Sequence, residues 1–576
     1  MMKILLLFPP HWVPAMPHLA LPTLTAYLRA HGVEVIQRDL NVEFFDALLT
    51  RGALNDTVER LRERLRFVSG PAAQPLRAAL ADGPRLVAQV EGAKAVFRSL
   101  AFFDGKASLS AFITLAQSLD LVSLAFAPAE LGLTTFRPPL PADSSRALLH
   151  IVSDPQLNVF LEFFRQRVLP DIVREQPDIV GISIPTLDQM IAGMTLGHLI
   201  KQAGLPCHVT IGGPHVSMLR EQLPKVPAIF RLFDSAVVFD GETALLRLAE
   251  ALDSGGDLAQ VPNLIYRAQH DAGVIRSTPV RVEPHPNLLP DFDGLPLERY
   301  LVPTPVLPML SAHGCYHGKC GFCNVGYGGP GTFSQLDADL VVEHMLALHQ
   351  KYGARHIFFA DEAITPRNLK VMSARLIEEG APVHWCGCVR FDAGLTRELL
   401  ERMAQGGCRM LLFGLETAAA RTIQRMVKGT KLPEMSRILR DSAAAGIWNH
   451  TFFFFGFPGE TMEEAQETVN FVYAHQDAIH SASPGAFLLE RYSPVACAPQ
   501  KYGVTVHEDP DRDLAIYFDY DVTSGLDESM ADNLASRLID VLPKKQFGQY
   551  YIHDSFRLLY AGDLCEKEQP FPLWLA

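Results

Sequence analysis

The sequence predicts an α/β protein in two main parts: an N-terminal doubly wound, Rossmann-like domain carrying a helical insertion, and a partial (β/α)6 barrel with a small C-terminal extension. Three observations predict it. Apolar runs at 3–8, 33–39, 178–184, 207–211 and 235–239 are followed by turn residues and, apart from 33–39, by short helical stretches, the pattern of a parallel sheet. From Val306 onward, apolar strand runs and helical runs alternate with little interruption. At 576 residues the chain exceeds what one ordinary hydrophobic core can serve.

Composition narrows the function classes. Hydrophobic residues make up 48% and charged residues 20%, as in a well-buried globular protein. The formal net charge of -13 argues against a nucleic-acid partner, which would show a basic face. No stretch approaches the roughly 18 uninterrupted apolar residues of a membrane span, and the opening Met-Met-Lys-Ile-Leu-Leu-Leu-Phe run stops at Pro9-Pro10 and reads as a buried strand. Nine cysteines, three of them crowded together, do not form a disulfide framework; with no signal peptide, a reducing cytoplasm is expected.

In chain order, Lys3–Phe8 is a strand ending in Pro-Pro, Pro22–His31 a helix, and Val33–Asp39 a second strand. Phe44–Val168 reads as amphipathic helices, among them Thr57–Phe67 and Pro84–Leu100, inserted into a five-stranded ligand-binding domain. The strands at 178–184, 207–211 and 235–239 lead into the loops starting at Pro185, Gly212 and Asp240. In an open sheet of this kind ligands bind outside the carboxyl ends of the strands, so these loops and Pro9–Pro17 converge. No G-x-G-x-x-G follows the first strand, which argues against a dinucleotide. The domain is expected over residues 1–260, with 261–300, holding a short strand Asn263–Arg267 and prolines 284, 286, 290 and 296, as an extended linker.

The barrel is expected over 301–498 and the extension over 499–576, with helical stretches near Met530–Leu542 and Gln549–Leu559. Its strands are predicted at Val306–Ser311, His356–Ala360, Val383–Phe391, Arg409–Leu415, Trp448–Phe457 and Ala486–Tyr492. Helices are predicted at Leu336–Tyr352, Asn368–Glu379, Thr396–Gln405, Leu432–Ala445 and Thr461–His475. Gly353, Gly380, Gly406 and Gly446 stand where helix C-caps belong, and Thr461-Met-Glu-Glu464 fits a capping box. Six such units fall short of the eight of a closed barrel, and the site belongs at the carboxyl ends of the strands.

That end receives Cys315, Cys320 and Cys323, in a C-x4-C-x2-C spacing right after the first barrel strand. Three thiolates leave a metal or cluster one protein ligand short. A structural zinc site would need a fourth ligand, for which His313, His317 or the pair Cys386 and Cys388 are the candidates; an iron–sulfur cluster with one open iron fits the trio better. In the third barrel strand Cys386, Cys388 and Arg390 share one face. If that face is the lumen, both thiols point at the reaction chamber, against a plain packing role for buried cysteine. Asp361 and Glu362, ending the second strand, are catalytic candidates.

The cysteine run, Phe322 before its last cysteine, Phe413-Gly-Leu-Glu-Thr417 and Phe455-Gly-Phe-Pro-Gly-Glu-Thr461 together resemble the radical S-adenosylmethionine (SAM) enzymes, and over residues 1–495 their cobalamin-binding subclass. The commoner cysteine spacing there is C-x3-C-x2-C, so the extra residue is a variant. The resemblance implies a 4Fe-4S cluster on the three cysteines, with SAM on the open iron. It implies Glu416 at the SAM ribose or amino group, and Gly456 to Glu460 with Phe322 near the adenine. Arg390 is then placed for the SAM carboxylate. It also implies cobalamin, with Ser183, Gly212 and Gly213 along the channel for its nucleotide tail and Gly241 and Glu242 as further cofactor-binding candidates. The Asp-x-His-x-x-Gly motif that supplies a cobalt ligand in many such domains is absent, and neither His11 nor His18 has the spacing to replace it.

The activity so implied is methyl transfer to an unactivated centre of a small molecule: one SAM recharges cobalamin with methyl, a second yields the 5'-deoxyadenosyl radical. An external one-electron reductant such as flavodoxin or ferredoxin is implied as partner. Cyclisation, oxidation or rearrangement with the same cofactors is the alternative within the family. A non-catalytic cobalamin or iron–sulfur sensor, from another class, would not need the Glu416 and Gly456–Glu460 elements.

Overall fold

The computed structural model describes residues 2–268, 273–283, 285–329, 333–541, 550 and 552–572. Pro284 of the expected linker, the end of the glycine-rich run at Gly331 and the start of the expected helix at Gln549 lie outside them. The chain folds as two units, one of Met1–Pro303 with Asp509–Ala515, the other of Thr304–Glu508 with Ile516–Ala576.

In the first unit β1 (Lys3–Phe8), β2 (Glu34–Asp39), β3 (Ile179–Ser183), β4 (His208–Gly212), β5 (Ser235–Val237), β6 (Leu264–Arg267) and β7 (Ile275–Ser277) form one sheet in the order β2-β1-β3-β4-β5-β6-β7. The first five are mutually parallel. β3 is buried at every position and β1 at all but its first, hence their unbroken apolar runs, whereas β2 at the edge alternates buried and accessible residues. The order 2-1-3-4-5 reverses direction between β1 and β3, which opens a crevice outside their carboxyl ends. The stretch expected as linker adds more structure than an extended chain: β6 and β7 pair antiparallel and lengthen the sheet.

Helices Arg51–Leu65, Ala73–Phe97 and Gly105–Ala125 pack together in the insertion. The second begins at Ala73, upstream of Pro84, which sits inside it. Among the described residues Gly105–Ala125 alone is long and apolar enough, by length and composition, to cross a membrane. It buries Ala111, Leu115, Leu119 and Val122 as a core helix does. Asp509–Ala515 joins this unit as a strap. Ser145 donates its backbone N–H (2.8 Å) and hydroxyl (2.6 Å) to Asp513, Arg512 Nε reaches Asp143 at 2.8 Å, and Leu514 N–H donates to Asp143 O at 2.9 Å.

The second unit holds β8 (Val306–Met309), β9 (His356–Phe359), β10 (His384–Val389), β11 (Cys408–Glu416), β12 (Trp448–Phe455) and β13 (Ser481–Ala486), parallel throughout and neighbours in sequence order. The sixth strand is not the predicted Ala486–Tyr492. It is Ser-Ala-Ser-Pro-Gly-Ala, paired with His450 to Phe455. As an edge strand it tolerates Pro484 and Gly485, residues that hide a strand from any propensity argument. Helices Ala338–Tyr352, Pro366–Glu378, Arg397–Gln405, Leu432–Ala444 and Met462–Ala474 complete the repeat, and Thr461 with Glu464 makes the capping box. After the third helix Gly407, not Gly406, takes the left-handed turn (φ +88°).

The extension closes this unit in two places. Helix Glu528–Val541 packs on β12 and β13, covering the open edge, and helix Asp554–Glu566 packs across β9, β10 and β11. A side chain at Gly562 of the latter would lie 2.6 Å from His384 Nδ1 and 3.3 Å from His356 Nε2, at the amino ends of their strands. The opposite, carboxyl ends are left for the site.

Candidate active site

The loop after β8 carries the cysteines. A two-stranded hairpin, Ala312–His313 with Ser334–Gln335, pins its base. Asp361, just after β9, fastens its start: one carboxylate oxygen accepts from the Ser311 hydroxyl at 2.6 Å, and both accept from Ser311 N–H at 2.9 and 3.1 Å. Burial pushes this carboxyl up to about 7 against those hydrogen bonds. Asp361 is therefore committed to holding the loop and is not presented to a substrate. Its neighbour Glu362 keeps access to solvent yet is crowded enough by protein that its carboxyl is pushed up, and its charge acts on Cys323, Cys388 and Glu490. It stands in the open mouth.

Cys320 is buried, while Cys315 and Cys323 are partly accessible. Burial pushes the Cys323 thiol up to about 12 and raises Cys320 too; at Cys320 the ammonium of Lys428 and then the guanidinium of Arg390 pull the other way. Thiols held neutral by burial ionise once a cationic centre sits among them, so the donors suit an iron–sulfur cluster. Among the described residues no three His, Cys, Asp or Glu side chains converge on a single-ion position. His317 Nε2 is bonded to Val427 O at 2.7 Å, and Cys386 and Cys388 lie within β10, so neither His317 nor the cysteine pair offers the fourth ligand of a zinc site.

Arg390, just after β10, has Nη1 3.9 Å from Cys320 Sγ, Nη2 donating to Lys428 O, and its guanidinium 5.9 Å from the Tyr316 ring centre. Cys388, in register with Leu412, is pushed up by burial and feels Asp554, Glu362, Asp361 and Glu416; Cys386 is fully buried near Asp554 and Cys408. Cys388 thus lies nearer the mouth and Cys386 in the interior packing.

A second loop, Met426–Gly429, was not legible beforehand. Gly321 N–H donates to Met426 O at 2.7 Å, His317 bonds Val427 O and Arg390 bonds Lys428 O, so three successive carbonyls receive the cysteine loop and its arginine. Lys428 Nζ donates to Glu416 Oε1 at 2.7 Å and lies 5.7 Å from the Phe322 ring centre. Glu416 has φ +60° at an irregularity of the β11–β12 register. A Cβ at Gly414 would come within 2.5 Å of Glu416 Oε1 and 2.8 Å of Lys428 Nζ, so glycine makes the room this pair fills. Lysine before glycine in a loop carries no distinctive spacing, and only the folded contacts expose it.

Gly456 and Glu460 turn out to build their loop. Glu460, fully buried, accepts from Gly456 N–H at 2.6 Å and from Thr417 Oγ1 at 3.3 Å, and burial pushes it up to about 7. Leu526 N–H donates to Glu460 O at 2.8 Å, and a Cβ at Gly456 would lie 2.7 Å from Ala531 Cβ. The extension covers this turn, which leaves Glu460 a positioning part. Phe322 packs edge-on against Phe454, with centroids 5.2 Å apart.

In the first unit Ser183 closes β3 and Gly212 closes β4, with Ile184 N–H donating to Gly212 O at 2.7 Å. Gly213 has φ +116° and ψ 172°, a conformation glycine alone adopts, and a Cβ there would stand 2.7 Å from Ile184 O. Gly241 and Glu242 open helix Gly241–Ser254, and burial pushes the Glu242 carboxyl up to about 7. His11 Nε2 is bonded to Gly132 O at 2.8 Å and His18 stacks on Phe8; burial takes both down to about 4. His215, directly after the Gly-Gly-Pro turn, is 2% exposed, and neither of its ring nitrogens has a hydrogen-bond partner among the described residues; Trp12 Nε1 after β1 is likewise buried and unpartnered. Orphaned donors on two of the loops at the crevice end, beside a turn kept clear by glycine, fit a large polar ligand there.

Residues 309–472 match the family described as the radical SAM superfamily. The chain is 28% identical over 334 residues to an uncharacterized methyltransferase, PH0819, of Pyrococcus horikoshii, a match that covers 55% of this chain and 70% of that protein. Among solved structures it is similar to the cobalamin-dependent S-adenosylmethionine radical enzyme OxsB (TM-score 0.58, 14% identity, 99% of this chain and 76% of that one). It is also similar to the radical S-adenosylmethionine methyltransferase TsrM from Kitasatospora setae (TM-score 0.53, 15% identity, 88% and 79%). Residues 309–472 thus carry the match to the radical SAM superfamily, within a chain whose fold is similar to that of cobalamin-dependent radical SAM enzymes.

Proposed function

We propose that the protein is a cobalamin-dependent radical SAM methyltransferase acting on a small molecule. The observation that carries this is the cysteine loop at the carboxyl mouth of the six-stranded parallel sheet, one thiol held against Arg390 at 3.9 Å, in the same chain as the 2-1-3-4-5 sheet. The TsrM structure is described with a tryptophan substrate and a SAM analogue, and PH0819 is named a methyltransferase; both support the reading. When bound, the cluster and SAM supply one-electron cleavage and cobalamin a methyl carrier.

The chain's own residues have separable tasks. Cys315, Cys320 and Cys323 hold the cluster, and the carbonyls of Met426 to Lys428 fix the loop that presents them. Arg390 offers a guanidinium beside Cys320 for an anionic group of SAM, and Glu416 offers a carboxylate for a hydroxyl or amino group. Gly212 and Gly213 keep the crevice open for the cobalamin tail, with Ser183, His215, Trp12, Gly241 and Glu242 on the surrounding loops. Glu362, in the mouth with a raised carboxyl, is the group best placed to hold or take a substrate proton, and Cys388 lines the chamber. An external one-electron donor of flavodoxin or ferredoxin type serves as reductant, and a reducing cytoplasm suits nine cysteines that are all free.

Anaerobic purification with iron and sulfide analysis tests the reading. Wild type is expected to load a cluster, retain added cobalamin and make 5'-deoxyadenosine from SAM, and each of Cys315→Ala, Cys320→Ala and Cys323→Ala to lose cluster and product together. Methyl-labelled SAM should pass label into the cobalamin fraction; a protein that makes 5'-deoxyadenosine with no label transfer is not a methyltransferase.

A further inference from the structure

Lys428 is a buried ammonium beside the cysteine loop that the cluster-holding residues do not account for. Its side chain is 7% exposed, its carbonyl receives Arg390, and its Nζ stands 5.7 Å from the ring of Phe322, one of the two residues between Cys320 and Cys323 in the loop. A buried charge needs a counter-charge, and Glu416, 12% exposed, supplies one at 2.7 Å. Both are lodged over Gly414, the one residue type that leaves room for them. The pair is neutral as a whole but ordered as a dipole, its ammonium end on the aromatic ring of the cysteine loop.

We propose that Lys428 and Glu416 act as a charge pair that sets the electron affinity of the cluster, with Lys428 favouring the reduced state and Glu416 offsetting it. Reduction adds one electron, delivered by an external donor, to a site already crowded with three thiolates. In a partly buried environment a unit charge nearby changes that free energy by enough to move the reduced-to-oxidised ratio about tenfold. Lys428 is a positioning residue here, acting on the cluster through space. The inference rests on the cluster proposed above.

The test is a redox titration of the anaerobically reconstituted full-length protein with dithionite and mediators, following the electron paramagnetic resonance signal of the reduced cluster. At a fixed solution potential Lys428→Met is expected to lower the reduced-to-oxidised ratio about tenfold, Glu416→Gln to raise it, and Lys428→Arg to stay near wild type. A purely structural role would not move the two variants in opposite directions. If Lys428→Met fails to load iron, Glu416→Gln still decides: an unchanged or lowered ratio overturns the proposal. A wild type that loads no cluster overturns the proposed function instead, whereas a loaded wild type with variants that titrate alike overturns only this inference.

Discussion

Gly213 illustrates how one atom can govern a site. With φ +116° and the Ile184 carbonyl 2.7 Å from where a Cβ would go, alanine can be accommodated only by parting the loops after β3 and β4. Gly213→Ala is expected to cost about 2 kcal/mol in denaturant unfolding and to abolish retention of cobalamin on a desalting column. Asp361 carries a different expectation. Because it is tied to Ser311, Asp361→Asn should cost about 1 kcal/mol and cluster occupancy, and restoring occupancy with excess iron and sulfide should restore turnover. A variant with full occupancy and no turnover would return Asp361 to the catalytic group. Legibility at this scale was uneven. The cysteines announce themselves by spacing, and Arg390 by alternation along a strand, but acids look alike in a sequence whether they stay exposed, as Glu362 does, or brace a loop, as Asp361 and Glu460 do. Hydrogen-bond partners distant in sequence decide between them: Asp361 meets Ser311 and Glu460 meets Thr417.

Among the elements, the C-terminal helix Asp554–Glu566 carries a buried charge network. Burial alone would raise the Asp554 carboxyl, but Arg557, with Nε 3.0 Å away, and the neighbouring His450 and His553 bring it down to about 2. A carboxyl depressed from an ordinary 3.8 contributes stability that is fully present above that value and is lost as pH falls through about 2. The helix is therefore expected to release in acid between roughly pH 4 and pH 2, seen as increased hydrogen exchange across Asp554–Glu566 before global unfolding. Asp554→Asn, which takes the carboxylate away from Arg557, should cost about 3 kcal/mol at neutral pH and bring that release forward; unchanged exchange in this helix would show the network to be inert. Element by element, regular helices and central strands were readable because burial on both faces or on one stripe leaves a periodic trace. β13 was not, since an edge strand covered by helix Glu528–Val541 needs neither apolar alternation nor every backbone donor. Tails escape for a related reason: their partners are elements far back in the chain.

On the scale of the molecule, two units with separate sheets and separate proposed cofactors should answer to separate ligands. Calorimetry is expected to resolve two transitions, one raised by cobalamin and the other lowered by chelating the iron, because a ligand stabilises only the unit whose native state binds it. A single transition shifted equally by both would show the two to be thermodynamically one. The strap Asp509–Ala515 adds a consequence for biosynthesis. Its hydrogen bonds to Asp143 and Ser145 belong to the first unit, yet it follows Pro303 by some two hundred residues, on the order of ten to forty seconds of elongation at ordinary rates. The first unit therefore waits on the ribosome with one piece missing while the cysteine loop is already synthesised, so a late-made segment completes the protein's earliest-made half.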